Sequence, residues 1–222
     1  MSDLTEIAIV GGTGALGGGL ALACARANMT VHIGSRTVEK AQAAAREITE
    51  KTGAAAYGYA NSDCVDAADL IVVTVPFSSQ KETLEGISGK VAGKIVLDTT
   101  VPLVPPKVAR VQLPPEGSAA MRAASILGDG VRLVTGFHSV SAQKLAAGEI
   151  SEGDVLLFSD DVDARDIIAE LASKIGLRGI HAGPLANSVA GEALTSVLIG
   201  INKRYNVAQG AGVVVTGISK DA

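Results

Sequence analysis

The chain has 222 residues with 19 Lys and Arg against 23 Asp and Glu, a net charge of −4 with the His neutral. That balance, without any long basic run, excludes a general nucleic-acid surface, and two isolated cysteines, Cys24 and Cys64, form neither a disulfide framework nor a metal motif. There is no long apolar run, and Met1 to Glu6 lacks the basic-then-apolar pattern of a signal segment, so a soluble cytoplasmic protein is expected.

The first predicted element is a buried strand, Glu6 to Val10, which runs directly into Gly12-Thr13-Gly14-Ala15-Leu16-Gly17 and a small-residue helix continuing to about Ala27. A lone G-x-G-x-x-G would pass for a Gly-rich turn. Placed between an apolar strand and a helix, it reads instead as a dinucleotide-binding fingerprint. Gly12 permits the tight turn, Gly14 lets backbone approach a pyrophosphate, and Gly17 lets helix pack on strand, with free helical N–H groups aimed at the anion.

The second strand, Thr30 to Gly34, ends where a NAD-specific protein places an acidic residue for the ribose hydroxyls. Here the chain reads Ser35-Arg36-Thr37-Val38-Glu39-Lys40. Two hydroxyls, a guanidinium fork and a lysine one helical turn on suit a 2′-phosphate, so NADP is favoured over NAD. Cations in a first helical turn also oppose the macrodipole, an arrangement that a bound anion would relieve.

Further strands are predicted at Ala54 to Tyr59, Leu70 to Val75, Lys94 to Asp98, Arg132 to Thr135, Asp154 to Ser159 and Arg178 to His181. Helices are predicted at Val38 to Lys51, Ala119 to Leu127, Val162 to Ile175 and Ser188 to Tyr205. The alternation, with continuous apolar runs such as Leu70-Ile71-Val72-Val73, predicts a doubly wound α/β fold of Rossmann type around a parallel sheet. Residues 1–135 are expected to form the NADP-binding domain, and 136–222 a smaller C-terminal lobe bordering the second substrate. Five of the seven prolines crowd into Thr99 to Ser118, a long irregular segment that reads equally as a binding loop or a plain connection. On the last helix Ala190, Ala193, Leu194, Val197, Leu198 and Ile201 make one apolar face, read as core packing. The closing stretch Gly212 to Ile218 reads as a strand at a sheet edge or in a dimer contact.

Catalytic machinery is sparse. None of Tyr57, Tyr59 and Tyr205 is followed four residues later by Lys, so the Tyr-x-x-x-Lys pair of short-chain dehydrogenases is missing. His32 and His181 read as structural, whereas His138 follows a strand at the end where ligands of open α/β sheets collect. No metal site and no catalytic triad or covalent nucleophile is predicted. If the second substrate is itself a hydride carrier, the protein needs mainly to bring two rings into near contact.

The stretches Gly11 to Ala21 and Ile33 to Ala41, with Thr74-Val75-Pro76, Ser118-Ala119-Ala120, His138 and Ala182 to Ser188, closely resemble the NADPH-dependent reductases of coenzyme F420, an 8-hydroxy-5-deazaflavin. The resemblance implies that Thr13 and Leu16 contact the pyrophosphate region beside Gly12, Gly14 and Gly17, and that Ser35, Arg36 and Lys40 hold the 2′-phosphate. It further implies that Val75 and Pro76 flank the cofactor, that His138, Leu185 and Asn187 border the hydride-transfer cleft, and that the protein is a homodimer. The expected activity is hydride transfer between NADP(H) and coenzyme F420. Two alternatives stay open at this point: an NADP-dependent reductase of a flavin, metal chelate, imine or carbonyl, and a non-catalytic NADP-binding sensor.

Overall fold

The computed structural model describes residues 4–148 and 153–218. Strands β1 (Glu6–Val10), β2 (Thr30–Ser35), β3 (Ala56–Ala60), β4 (Leu70–Val73), β5 (Ile95–Asp98) and β6 (Arg132–Thr135) form one parallel sheet in the order β3-β2-β1-β4-β5-β6. The order reverses between β1 and its neighbours, so a crevice opens above the carboxyl ends of β1 and β4, where doubly wound sheets take their ligands.

Alternation along β1 shows why a continuous apolar run suits this sheet. Ile7 and Ile9 enter one core cluster with Leu20, Val31 and Val72, while Ala8 and Val10 enter another with Ile71, Val73 and Val96. Both faces are therefore covered. The helices that cover them are α1 (Ala15–Arg26), α2 (Val38–Thr52), α3 (Asn61–Cys64), α4 (Phe77–Ile87) and α5 (Ala119–Leu127).

After β6 the chain makes α6 (Ala142–Ala147), β7 (Asp154–Leu157), α7 (Val162–Lys174), β8 (Arg178–His181) and α8 (Ser188–Tyr205). β7 and β8 form a second, two-stranded parallel sheet. It is joined to the first by an antiparallel bridge in which Thr135 and Phe158 exchange N–H···O bonds of 2.9 Å. Val155, Leu157 and Ile168 share a core cluster with Ile7 and Leu20, so the later elements extend the first core. α1 also packs closely on α6: a Cβ on Gly19 would lie 2.8 Å from the Ala142 carbonyl oxygen.

Helix α4 escaped the sequence reading, which left Phe77–Ile87 without an element. Its periodic contribution to the core is small, with Gln80, Leu84 and Ile87 buried and one of those three polar. The six-residue α6 was also missed, being too short to show a period.

The apolar face of α8 is only partly core. Leu198 is buried, but Val197 is 48% and Ile201 36% exposed, so the stripe divides between the interior and the surface. The Gly212–Ile218 tail is irregular rather than a strand. It nevertheless runs along the edge of β7: Asp154 N–H donates to Val213 O (2.7 Å), and the Asp154 carboxylate accepts from Val215 N–H (2.6 Å). One rung is thus made by a side chain, which breaks the ladder a strand would need.

Candidate active site

The fingerprint loop closes on itself through short backbone bonds. Gly12 N–H donates to Gly34 O (3.0 Å), tying the loop to β2, and Gly14 N–H donates to Gly11 O (2.9 Å). A Cβ on Gly17 would stand 2.5 Å from Thr74 Oγ1, 2.7 Å from Gly11 O and 2.8 Å from Gly12 Cα, so only glycine lets α1 approach β1 and β4 this closely. Gly14 by contrast has open space beyond one contact at 3.3 Å, room for a ligand's approach. No side chain caps the amino end of α1 and its first turn holds no acid, leaving N–H groups for an anion.

Beside this loop, β2 delivers Ser35, which is buried and accepts hydrogen bonds from Thr13 Oγ1 (3.3 Å) and Thr37 N–H (3.2 Å). Arg36 and Lys40 stand exposed just beyond it. Among the described residues neither has a carboxylate within 4.0 Å. Two cations left unmatched beside a Gly-rich loop fit a 2′-phosphorylated dinucleotide. Asn61, which the sequence reading passed over, accepts the Gly11 N–H through Oδ1 (3.1 Å) and so fixes the loop from the end of β3.

From the loop the crevice widens into a cavity of about 540 Å³. Leu16, Val75, Pro76 and His138, all expected at the site, line it. The opposite wall is new: Val101, Leu103, Val104 and Val108 from the Pro-rich segment, with Thr195 from α8. That segment is therefore a wall of the cavity rather than a plain connection. Leu185 and Asn187 lie outside this cavity. Leu185 is buried in the core cluster that holds Ala120 and Leu127, and Asn187 is exposed, its amide against Gly183. Of the other candidates, His32 stacks on Tyr57 in the sheet and His181 pairs with Asp166 at 3.1 Å. Cys24 and Cys64 are buried free thiols, each pushed up to about 12 by burial.

His138 stands on a strained approach, since Phe137 before it has φ +63°. Its ring lies over Phe158 (6.3 Å between centroids), Gly191 on α8 leaves room for the pair, and its carbonyl accepts from Thr195 Oγ1 (2.8 Å). Burial holds its pKa down to about 4, so the imidazole is neutral near pH 7 and enters the site as an uncharged wall. A stability effect follows. The unfolded chain protonates this His near its ordinary 6.5 while the folded chain resists, so folding weakens as pH falls from about 6.5 to about 4, by roughly 3 kcal/mol in all. Denaturant unfolding at about pH 7 and about pH 5 should show about 2 kcal/mol of this loss in the parent chain and a clearly smaller one in His138→Gln. Equal losses in both would contradict the assignment.

Two buried carboxylates, Asp98 and Glu192, flank the start and end of the Pro-rich wall, and neither was singled out in the sequence. Burial pushes both upward, against the hydrogen bonds they accept. The signal for Asp98 was present: a polar Asp98-Thr99-Thr100 run ends a wholly buried strand.

The family model described as NADP oxidoreductase, coenzyme F420-dependent, matches residues 6–102. The F420-dependent NADP reductase of Methanothermobacter thermautotrophicus is 41% identical, over 96% of this chain and 95% of its own. That of Methanocaldococcus jannaschii is 34% identical over 96% and 99%. Among solved structures, one from Arthrobacter sp. FB24 assigned as an F420-dependent NADP reductase superposes with a TM-score of 0.80 at 22% identity, over 94% of this chain and 98% of that one. A reductive aminase from Aspergillus terreus shares the fold at a TM-score of 0.64 and 19% identity, over 91% of this chain but 62% of its own. With its fingerprint loop, its unmatched Arg36 and Lys40, and full-length similarity to these reductases, the chain belongs to the family of F420-dependent NADP reductases.

Proposed function

We propose that this protein transfers a hydride between NADP(H) and coenzyme F420. One observation carries the reading: a turn bearing two unmatched cations and an open fingerprint loop lead across the carboxyl ends of the central strands into an apolar cavity of about 540 Å³, walled by residues from both halves of the chain. That size suits organic ring systems, and a binding module for the nucleotide alone would have no use for the second wall.

Gly12, Thr13, Gly14, Leu16 and Gly17 hold the pyrophosphate region, and Ser35, Arg36 and Lys40 hold the 2′-phosphate. Val75 and Pro76 flank the nicotinamide end, and His138 closes the cleft beyond it. When both coenzymes are bound, their rings supply the chemistry, a hydride passing between nicotinamide C4 and deazaflavin C5. The chain's own residues orient them and exclude water, so proximity supplies most of the acceleration. Residues 1–135 serve as the NADP-binding unit and 136–222 as the lobe that completes the cleft. Leu185 and Asn187, lying outside the cavity, act on that lobe's side as support for the start of α8 rather than as ring contacts.

The protein is proposed to act as a homodimer. The exposed apolar residues Val197, Ile201 and Tyr205 on α8, with Met121 on α5, support this, since surface patches of this kind mark association sites. Among the described residues no helix is long and apolar enough to cross a membrane, and a cytoplasmic location fits the small-molecule coenzymes.

The test is spectroscopic. Protein mixed with NADPH and oxidised F420 should bleach the deazaflavin's visible absorbance, while FMN in its place should stay unreduced. Bleaching of FMN alone, or of neither, would defeat the proposal.

A further inference from the structure

The Pro-rich wall of the cavity is secured at its ends and little between. The hydrogen bonds that Leu103, Arg110, Gln112 and Gly117 donate all stay within the segment 101–117. At its start, Thr100 donates to Asp98 through N–H (3.0 Å) and Oγ1 (2.6 Å). At its end, Glu192 reaches across from α8 and accepts Ala119 N–H on Oε2 (2.7 Å) and Ala120 N–H on Oε1 (3.0 Å), the first turn of α5. The two anchors meet at one residue: Gln80 Nε2 donates both to Asp98 Oδ2 (2.6 Å) and to Ala119 O (3.0 Å). Glu192 is itself held by Ser188 Oγ (2.9 Å), which accepts from Thr135 Oγ1 (2.7 Å) at the end of β6.

Glu192 accepts from three donors with two oxygens, and among the described residues no cation lies within 4.0 Å of it. A buried carboxylate without a cation is costly unless its hydrogen bonds are complete, and these satisfy helix N–H groups that α5 cannot pair internally. An ordinary helix cap does not need this: Ser118 already caps α5 through Met121 N–H (3.0 Å). The additional, distant cap links α8 to the cavity wall. One turn further along α8, Thr195 lines the same cavity and holds the His138 carbonyl. Residues i and i+3 of a helix share a face, so one face of α8 grips both the Pro-rich wall and the His138 wall.

We infer that Glu192 is a positioning residue for the second ring: by clamping Ala119 and Ala120 it sets how far the 101–117 wall stands from His138. This rests on the proposed exchange with F420, because the gap between these walls is where the deazaflavin would sit. The nucleotide end at Ser35, Arg36 and Lys40 lies on other elements and is untouched by the clamp.

E192Q keeps the size of the side chain but sets an amide NH2 group against a backbone N–H. Steady-state kinetics should show the KM for F420 raised about tenfold while the NADPH Kd, read by fluorescence titration, stays within about twofold. An unchanged KM for F420, or an equal loss for both coenzymes, would overturn the inference. Amide hydrogen exchange provides a readout independent of turnover: E192Q should exchange about tenfold faster across 101–117 and the first turn of α5, with β1 and β2 unchanged. Protection equal to the parent chain would overturn it as well. Should E192Q not fold, S188A removes one of the three donors, and about a threefold rise in exchange at the same segment is expected, against none if the clamp is idle. If the parent chain fails to reduce F420 while the exchange pattern appears, the proposed activity falls and the clamp stands.

Discussion

Arg36→Ala should weaken NADPH binding by about 2 kcal/mol or more, roughly thirtyfold in Kd, while leaving NADH within a factor of about two. Arg36 is exposed next to Ser35 in the chain, and among the described residues no carboxylate lies within 4.0 Å to compete for it. Its interaction with the 2′-phosphate is thus a gain that NADH cannot share. Lys40 remains in the variant, so binding weakens rather than vanishes, and the double variant Arg36→Ala with Lys40→Ala should lose most of the discrimination. Fluorescence titration with each nucleotide measures it. Equal losses for NADPH and NADH would refute the phosphate assignment.

Gly17→Ala is expected to cost about 3 kcal/mol of folding stability, near the upper end for overpacking. Two of the three atoms its Cβ would meet, Gly11 O at 2.7 Å and Gly12 Cα at 2.8 Å, are backbone and cannot rotate away. α1 must therefore move off the sheet, carrying with it the N–H groups that would face the pyrophosphate, so NADPH affinity should fall at least tenfold in the fraction that folds. Gly18→Ala provides the control. Its Cβ would meet only Gly12 O, at 3.6 Å, an ordinary contact, and alanine is the better helix former by about 1 kcal/mol. Thermal melts should therefore drop for Gly17→Ala and hold or rise for Gly18→Ala. A neutral Gly17→Ala would show that the close approach of α1 is unimportant.

Much of the nucleotide half is legible in the sequence because its requirements are local. A tight turn, a close helix–strand crossing and a pair of cations after β2 each leave their residues next to one another in the chain. The buried strands are equally plain, since β4 and β5 are covered on both faces and read as unbroken apolar runs. The second half of the cavity is assembled from distant pieces. Val101 to Val108, His138 and Thr195 share no pattern, and their meeting is decided by packing after β6. Glu192 is the clearest case: an acid off the apolar stripe of α8 carries no local sign of burial, yet it is 1% exposed because its distant partners lie on α5, far away in sequence. The α8 stripe misled in the opposite sense. Helical period identifies an apolar face but not what covers it, and here Val197 and Ile201 reach the surface.

The most direct test of two rings meeting in one cavity is an isotope experiment. NADPH carrying deuterium at both positions of nicotinamide C4 is mixed with oxidised F420 and the protein in ordinary water under anaerobic conditions, and the reduced deazaflavin is analysed by NMR. Direct transfer predicts deuterium at C5 of the deazaflavin, one per reduced molecule. Reduction that leaves only solvent hydrogen at C5 would contradict the account.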